Sequence, residues 1–320
     1  MSQITADQTK CTICNSQQVS TFTRRGARYA RCRTCQCISR LITPEEYGAL
    51  EVTYDADPTA LHTPREELRS LLDIGSKRAL LEPFVDRSAN RTRFLDIGCG
   101  LGGYMIAARD LGCDVTGVEP SAEHAALART AFDLDVRQGY FEAEMFPPSS
   151  FDLIMLSHVI EHIYDPNTFL ARVLGVLVPG GQLIVVTPNS DSLVARLSGR
   201  FWTMLKPVDH VRMLSARGLR RLQSLEGHSV TIRQSEYLSE PLTGLLAAAR
   251  DALQALGRTG TAPTAGDAFM ESNRPLQKLR RRARQRPVLG ALAAASVPFH
   301  LFNIVSGRQA CLVCVVRKAA

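Results

Sequence analysis

After Glu271 the chain contains no acidic residue, although ten lysines or arginines follow, so its last 49 residues carry a charge of +10. Residues 1–43 are basic as well, with seven Lys or Arg against one acid, which leaves −9 on the stretch between. An acidic middle with two basic appendages excludes a surface uniformly suited to nucleic acid. The N-terminus, Met1-Ser-Gln-Ile-Thr-Ala-Asp-Gln8, lacks a charged segment followed by an apolar one, so no secretory leader is expected. An unbroken apolar run of spanning length is missing too. Val288–Val305 comes nearest, and Ser296, Pro298, His300 and Asn303 interrupt it. The nine cysteines do not read as a disulfide framework: four form two C-x-x-C pairs, and Cys99 and Cys113 fall in apolar elements. That usage points to a reducing, cytoplasmic setting. At 320 residues the chain can still bury one α/β core with smaller additions.

Cys11-Thr-Ile-Cys14 and Cys32-Arg-Thr-Cys35 are separated by seventeen residues, a spacing suited to a four-thiolate zinc site. Val19–Arg24 and Ala27–Cys32 alternate like strands around Arg25-Gly26, which predicts the hairpin of a zinc ribbon. Four thiolates leave the ion no open position, so Cys11, Cys14, Cys32 and Cys35 are expected to hold structural Zn2+. Cys37 lies close enough in sequence to compete. Arg24, Arg25, Arg28, Arg31 and Arg33 are read as a solvated face, a docking face or an RNA contact.

The stretch Arg93-Phe-Leu-Asp-Ile-Gly-Cys-Gly-Leu-Gly-Gly103 is a strand that ends in an acid, breaks into glycines and becomes helical from Tyr104. Residues without Cβ allow a sharp turn and close approach to a ligand. A second acid, Glu119, ends the next strand, where a carboxylate suits ribose hydroxyls. A nucleoside pocket follows. Strands and helices then alternate, with strands over Arg93–Ile97, Asp114–Val118, Leu134–Gln138, Phe151–Leu156, Gln182–Thr187, Ser229–Tyr237 and Ala310–Arg317. The expected helices are Arg65–Phe84, Gly102–Leu111, Ser121–Phe132, Asp165–Leu177 and Ser215–Glu226. Such alternation implies a parallel sheet with helices on both faces. The domain reading is a zinc ribbon at 1–43, a linker at 44–64, a core at 65–238, a helical insertion at 239–308 and a last core strand at 309–320.

Four blocks in this order and spacing carry a family resemblance. They are the glycine loop, Glu119, Phe151-Asp-Leu-Ile-Met-Leu-Ser-His-Val-Ile-Glu-His162 and Pro179-Gly-Gly-Gln-Leu-Ile-Val-Val-Thr-Pro-Asn189. Over about Arg65 to Leu238 the chain resembles class I S-adenosylmethionine-dependent methyltransferases. The resemblance implies a Rossmann-like seven-stranded sheet whose last strand inserts antiparallel. It also implies that Gly98, Gly100 and Gly102 wrap the methionine part of S-adenosyl-L-methionine, and that Asp96 orients the loop. Glu119 would take the ribose hydroxyls, Pro120 would shape the adenine wall, and Ser157 and His158 would meet the reacting end. The acid the family often places after the third strand is absent, and Tyr140 and Phe141 stand there instead. Ile160-Glu-His-Ile-Tyr-Asp-Pro166 resembles the E-H segment of ubiquinone-type O-methyltransferases.

An already activated methyl asks for alignment and exclusion of water, and a hydroxyl acceptor also needs a base near neutral pKa. His210, in Trp202-x4-Pro207-Val-Asp-His210, is the first candidate, then His162 beside Glu161, with His158 a third. Trp202 reads as a lid or substrate wall. Methyltransferases acting on exocyclic base amines carry N/D-P-P-F/Y after the fourth strand, where this chain has Leu156-Ser-His-Val159. The expected function is therefore methyl transfer to oxygen of a small-molecule or saccharide-like acceptor, either free or lipid-linked. An RNA methyltransferase and a non-catalytic membrane-surface scaffold are the alternatives. In the insertion, Leu242–Leu256 is helical in pattern and Lys278–Arg286 is a basic run. Together with Val288–Val305 it reads either as a substrate lid or as an element docking residues 274–307 on an anionic membrane from the cytoplasmic side.

Overall fold

The structure, a computed structural model, describes residues 10–56, 73–86, 91–235 and 309–320. The basic run, the apolar run after it and the rest of the expected insertion lie outside the described residues. Among the described residues no helix is long and apolar enough to cross a membrane. Two compact units divide the chain. The larger comprises Met1–Asp191, Met204–Arg233 and Cys311–Ala320, and the smaller Ser192–Thr203 and Gln234–Ala310.

The larger unit is built on two sheets. In the first, β1 (Val19–Arg24) and β2 (Ala27–Cys32) form the expected hairpin. Arg25 and Gly26 turn with positive φ at both positions, which matches the twist of a tight hairpin. β3 (Ile38–Arg40) pairs antiparallel with β2, giving a short meander.

The second sheet is made of β4 (Arg93–Ile97), β5 (Asp114–Glu119), β6 (Asp135–Gln138), β7 (Phe151–Ser157), β8 (Leu177–Pro188), β10 (Ser229–Ser235) and β11 (Cys311–Arg317). Its order is β10-β11-β8-β7-β4-β5-β6. β4, β5, β6, β7 and β8 run parallel, whereas β11 is antiparallel to β8. Alternate residues of each strand feed two hydrophobic clusters. Leu95, Ile97, Ile154, Leu156, Leu183, Val185, Leu312 and Cys314 belong to one. Phe94, Leu153, Met155, Ile184 and Val186 belong to the other. That period of two is what a strand covered on both sides requires. α2 (Ile74–Leu81), α3 (Gly103–Asp110) and α4 (Ala122–Phe132) supply apolar residues on the Phe94 side, and α5 (Pro166–Val176) on the Leu95 side. Ser121 caps α4 by accepting from His124 N, and Asp165 caps α5 by accepting from Asn167 N and Thr168 N.

Several expectations change in detail. The segment read as a linker contains α1 (Pro44–Ala56), opened by proline at its first turn. The helix expected over Ser215–Glu226 is only Ala216–Leu219 followed by a 3-10 turn, Gln223–Leu225. Leu219, Leu222 and Leu225 are all buried, so packing rather than helix continuity sets this path. β8 begins at Leu177, ahead of the Gly180-Gly181 step.

A strand with no sequence signal, β9 (Arg212–Met213), pairs antiparallel with β3 and extends the hairpin sheet to four strands. In the smaller unit, Ser192 caps the short helix Leu193–Ser198, and Trp202, expected as a lid or wall, is buried.

Candidate active site and metal centre

At the carboxyl end of β4 the chain turns through Gly98 with φ +71, its N–H donating to Val118 O on β5 at 2.8 Å. A Cβ there would sit 2.6 Å from Val159 Cγ2, and one on Gly102 (φ +83) would sit 2.2 Å from Leu134 Cδ1. Both positions therefore favour glycine on conformation, and a Cβ at either would force its neighbour to shift. Glu119, buried at the tip of β5, accepts from Gly100 N through Oε2 at 2.8 Å and from Ser121 N through Oε1 at 2.9 Å. One carboxylate thus ties the glycine loop to the N-terminus of α4. Asp96 is buried with one carboxylate oxygen lacking a hydrogen-bond partner. Burial and the neighbouring Glu119 push its carboxyl well above the usual range, partly offset by Lys77.

These groups open onto one cavity of about 680 Å³. Of the cofactor-binding residues expected, Asp96, Gly98, Gly100, Glu119, Pro120, Tyr140, Phe141, Ser157 and His158 line it, while Gly102 stands behind as the start of α3. Burial and a hydrogen bond with Ser157 act oppositely on the Tyr104 hydroxyl, and burial prevails, pushing it up to about 12. Sequence reasoning missed Lys77 and Tyr47 as lining residues. The first sits on α2 and the second on α1, in the supposed linker.

The three histidines separate clearly. His158 lines the cavity with 41% of its side chain exposed, and its Nδ1 lies 3.1 Å from Glu161 Oε1. Glu161 is fully buried and does not line the cavity; its Oε2 accepts from Thr187 Oγ1 at 3.0 Å. Burial alone would raise its carboxyl, but the His158 hydrogen bond and the fields of His158, His162 and His210 lower it to about 2.

His162 also lines the cavity, its Nδ1 donating to Asp209 O at 3.2 Å. His210, the first base candidate, does not. It is buried, edge-on to His162 with ring centroids 4.8 Å apart, and its Nδ1 donates to Met204 O at 2.7 Å. Burial lowers its pKa to about 4. The loop after β8 folds back as β9, and this turns His210 away from the cavity.

The four ribbon cysteines converge. Cys11 and Cys35 sulfurs are 3.6 Å apart, as are those of Cys14 and Cys32. Sulfurs ~2.3 Å from a tetrahedral ion stand about 3.7 Å from one another, so the set can hold zinc. The hydrogen bond with Cys35 and burial push the Cys11 thiol up. A divalent cation would reverse that by stabilising thiolate. Cys37 is not one of the four: its sulfur lies 3.8 Å from Ser215 Oγ, and a Cβ on Gly218 would meet it at 2.0 Å. It is a packing residue.

The ribbon is not appended loosely. Arg40 N donates to Val211 O at 2.9 Å, the Arg212 guanidinium to Arg40 O at 3.1 Å, and the Arg40 guanidinium to Pro207 O. Ser215 Oγ donates to Cys35 O, and Ser190 Oγ to Gln36 O at 2.8 Å. Arg212 also lies over the Tyr164 ring, which in turn packs on Tyr47.

The family described as "Methyltransferase domain" matches residues 54–230. Among curated proteins, the chain is 40% identical over 104 residues to the ubiquinone biosynthesis O-methyltransferase of Bradyrhizobium sp. (strain ORS 278), covering 31% of this chain and 41% of that protein. It is 31% identical over 145 residues to the protein of the same name from Rhodopseudomonas palustris (strain BisA53), covering 42% of this chain and 57% of that one. The alignments thus span about half the length of these relatives. Among solved structures, it is similar to a SAM-dependent methyltransferase from Archaeoglobus fulgidus at 18% identity and TM-score 0.46, over 77% of this chain and 95% of that one. A family match over more than half the chain, joined to this strand order and an acid-flanked glycine loop, shows that the chain belongs to the class I S-adenosylmethionine-dependent methyltransferase-domain family.

Proposed function

We propose that the protein transfers the methyl group of S-adenosyl-L-methionine to a hydroxyl of a small-molecule or saccharide-like acceptor. The observation that carries this is a single cavity lined by Asp96 and Glu119 together with His158 and His162. The unpartnered oxygen of Asp96 suits an ammonium group of the cofactor's methionine part. Each oxygen of Glu119 accepts one backbone N–H at the cavity wall, at the tip of a strand where a carboxylate suits the ribose hydroxyls. Pro120, Tyr140 and Phe141 would form the adenine wall, with stacking in place of the absent acid. Ser157 and His158 then stand where the sulfonium lies.

When bound, the cofactor supplies a methyl group already activated by positive sulfur. The protein's part is to align the acceptor oxygen, exclude water and take up a proton. At the acceptor end, the rings of Tyr47 and Tyr164, 5.3 Å apart, offer an aromatic wall for a ring-shaped acceptor. The relatives' printed name supports oxygen as the methylated atom. Zinc on Cys11, Cys14, Cys32 and Cys35 is structural in this reading.

Labelled S-adenosylmethionine incubated with fractionated cell extract tests the proposal. Label should enter one or a few small-molecule fractions with the wild type and fall at least about tenfold with Glu119→Ala, the loss expected of one charged hydrogen-bonding partner. Equal labelling by both proteins, or none by either, would overturn it. Calorimetry adds a check on the pocket: S-adenosylhomocysteine should bind, and NADH should not.

A further inference from the structure

We propose that His162 is the general base of this transfer and that Asp209 fixes its tautomer and balances its charge, an inference that rests on the hydroxyl-methylating reading above. Glu161 and His162 are neighbours in one 3-10 turn, Ile160–His162, and the turn sends them to different places. Glu161 is fully buried, while His162 lines the cavity with 28% of its side chain exposed. The loop after β8 is tied to this turn, because Val211 N donates to Glu161 O at 2.9 Å. That bond, with the β9–β3 pairing just beyond it, brings Asp209 against the His162 ring.

His162 Nδ1 lies 3.2 Å from Asp209 O, and a carbonyl only accepts, so the ring proton resides on Nδ1. Nε2 makes no hydrogen bond among the described residues, and its lone pair is left to an acceptor in the cavity.

The same residue supplies the counter-charge. The Asp209 side chain is 7% exposed, and neither carboxylate oxygen has a hydrogen-bond partner. A buried carboxylate left in that state costs free energy that a nearby positive charge offsets. Its Oδ2 stands 3.7 Å from His162 Nδ1, close enough for a proton taken up at Nε2 to be balanced across the ring. The other groups around the ring do not oppose this. His210 meets it edge-on at 4.8 Å, with Nε2 3.9 Å from the same Asp209 oxygen, and burial keeps that imidazole neutral down to about pH 4. Glu161, hydrogen-bonded to His158, adds a second negative charge whose field couples with His162. Of the loop's cations, Lys206 acts on His210, and Arg212 lies over the Tyr164 ring.

In the step, the acceptor oxygen bonds to the methyl carbon as the carbon–sulfur bond breaks and its electron pair stays on sulfur. The hydroxyl proton passes to His162 Nε2, and Asp209 stabilises the resulting imidazolium. His162 is thus catalytic, and Asp209 a positioning residue.

Two measurements on the full chain, metal-loaded, test this. Nitrogen NMR of histidine-labelled protein with S-adenosylhomocysteine, assigned with His162→Gln, should show the Nδ1–H tautomer at His162. In the labelled-methyl assay on the active extract fraction, His162→Gln should lose about 100-fold or more in rate, and the acid limb of the pH–rate profile with it. Its S-adenosylhomocysteine Kd should stay within about threefold, since the loss falls on the chemical step. Asp209→Asn keeps the carbonyl but not the charge. The imidazolium then gives up its proton more readily, so the acid limb should move down by about 1 pH unit or more, a shift that a merely structural role would not produce. An Nε2–H tautomer in the wild type overturns the inference, as does a His162→Gln protein that keeps its rate and acid limb, or an Asp209→Asn acid limb that stays in place. A wild type that moves no label instead overturns the hydroxyl-methylating reading, and with it this role, whatever the tautomer.

Discussion

The two sheets of the larger unit are held together by different physics. The seven-stranded sheet is covered on both faces by alternating apolar residues and needs no outside help to bury them. The four-stranded sheet adds Cys11, Ile13, Cys32 and Cys35 to the apolar cluster on the Leu95 face of the core sheet, and its last strand, β9, comes from the loop after β8. A segment so short of apolar surface of its own draws on borrowed backbone pairing and, in the proposed zinc reading, on the metal as well. The dependence also runs the other way. β9 immediately follows Asp209 and His210, and α1, which leads out of the ribbon, brings Tyr47 to the cavity. The ribbon braces the acceptor wall, whereas Asp96 and Glu119 stand on strands of the core sheet.

The sharpest way to break this comparison is to remove the metal. A structural zinc of this kind contributes about 10 kcal/mol or more to folding its segment. Chelation, or Cys35→Ser, should release amide exchange across residues 19–40 and 206–213. S-adenosylhomocysteine affinity should change by less than about threefold while methyl transfer falls more than about 100-fold. Equal release of exchange in β4 and β5 would mean the two sheets do not differ in this way.

Acid should act next most strongly, through the hinge between the sheets. Burial keeps His210 neutral down to about pH 4, whereas an unfolded imidazole takes its proton near 6.5. Between those values the unfolded state binds more protons, so stability falls on acidification through that window. The shift corresponds to on the order of 3 kcal/mol. Urea midpoints at pH 7 and pH 4.5 measure the loss, and His210→Asn should flatten it. Glu161 contributes in the opposite ionisation sense: its stabilisation is complete above its ordinary carboxylate pKa and disappears as pH falls toward 2.

Within the core sheet, Gly102→Ala should cost about 1–3 kcal/mol, because a Cβ at φ +83 meets Leu134. Cofactor affinity should fall while exchange in the ribbon stays unchanged. The smallest effect is expected at the seam. Ser215 donates to Cys35 O and accepts from Gly218 N at 2.9 Å, so Ser215→Ala should cost about 1–2 kcal/mol. A larger penalty for Ser215→Ala than for Gly102→Ala would mean the seam, not the glycine loop, is the tighter constraint.

Strands and glycine loop were legible because their causes are local. Val19–Arg24, Ala27–Cys32 and Arg93–Ile97 match the expected bounds, since alternation and turn glycines are written in adjacent residues. Ser121 and Asp165 announced their helices for the same reason. The helix in Pro44–Ala56 was hidden by a reading that weighted its prolines, one of which simply opens it. β9 has two residues and no periodicity; only a partner strand distant in sequence makes it a strand. His210 looked like the base from its place on an acceptor-facing loop, and the pairing that turns it inward lies at Arg212 and Met213.

The order of residues alone determined the acid-tipped strands, the glycine turn, the cysteine quartet and the alternation that makes a two-faced parallel sheet. Each of these depends on conformational preferences or spacings within a few residues, or on a count of ligands. Tertiary structure decided which candidate histidines face the cavity and which does not, which cysteine stands outside the quartet and which loop the ribbon grips. Those outcomes depend on contacts between residues more than a hundred positions apart, such as Cys35 with Ser215, and no local preference encodes them.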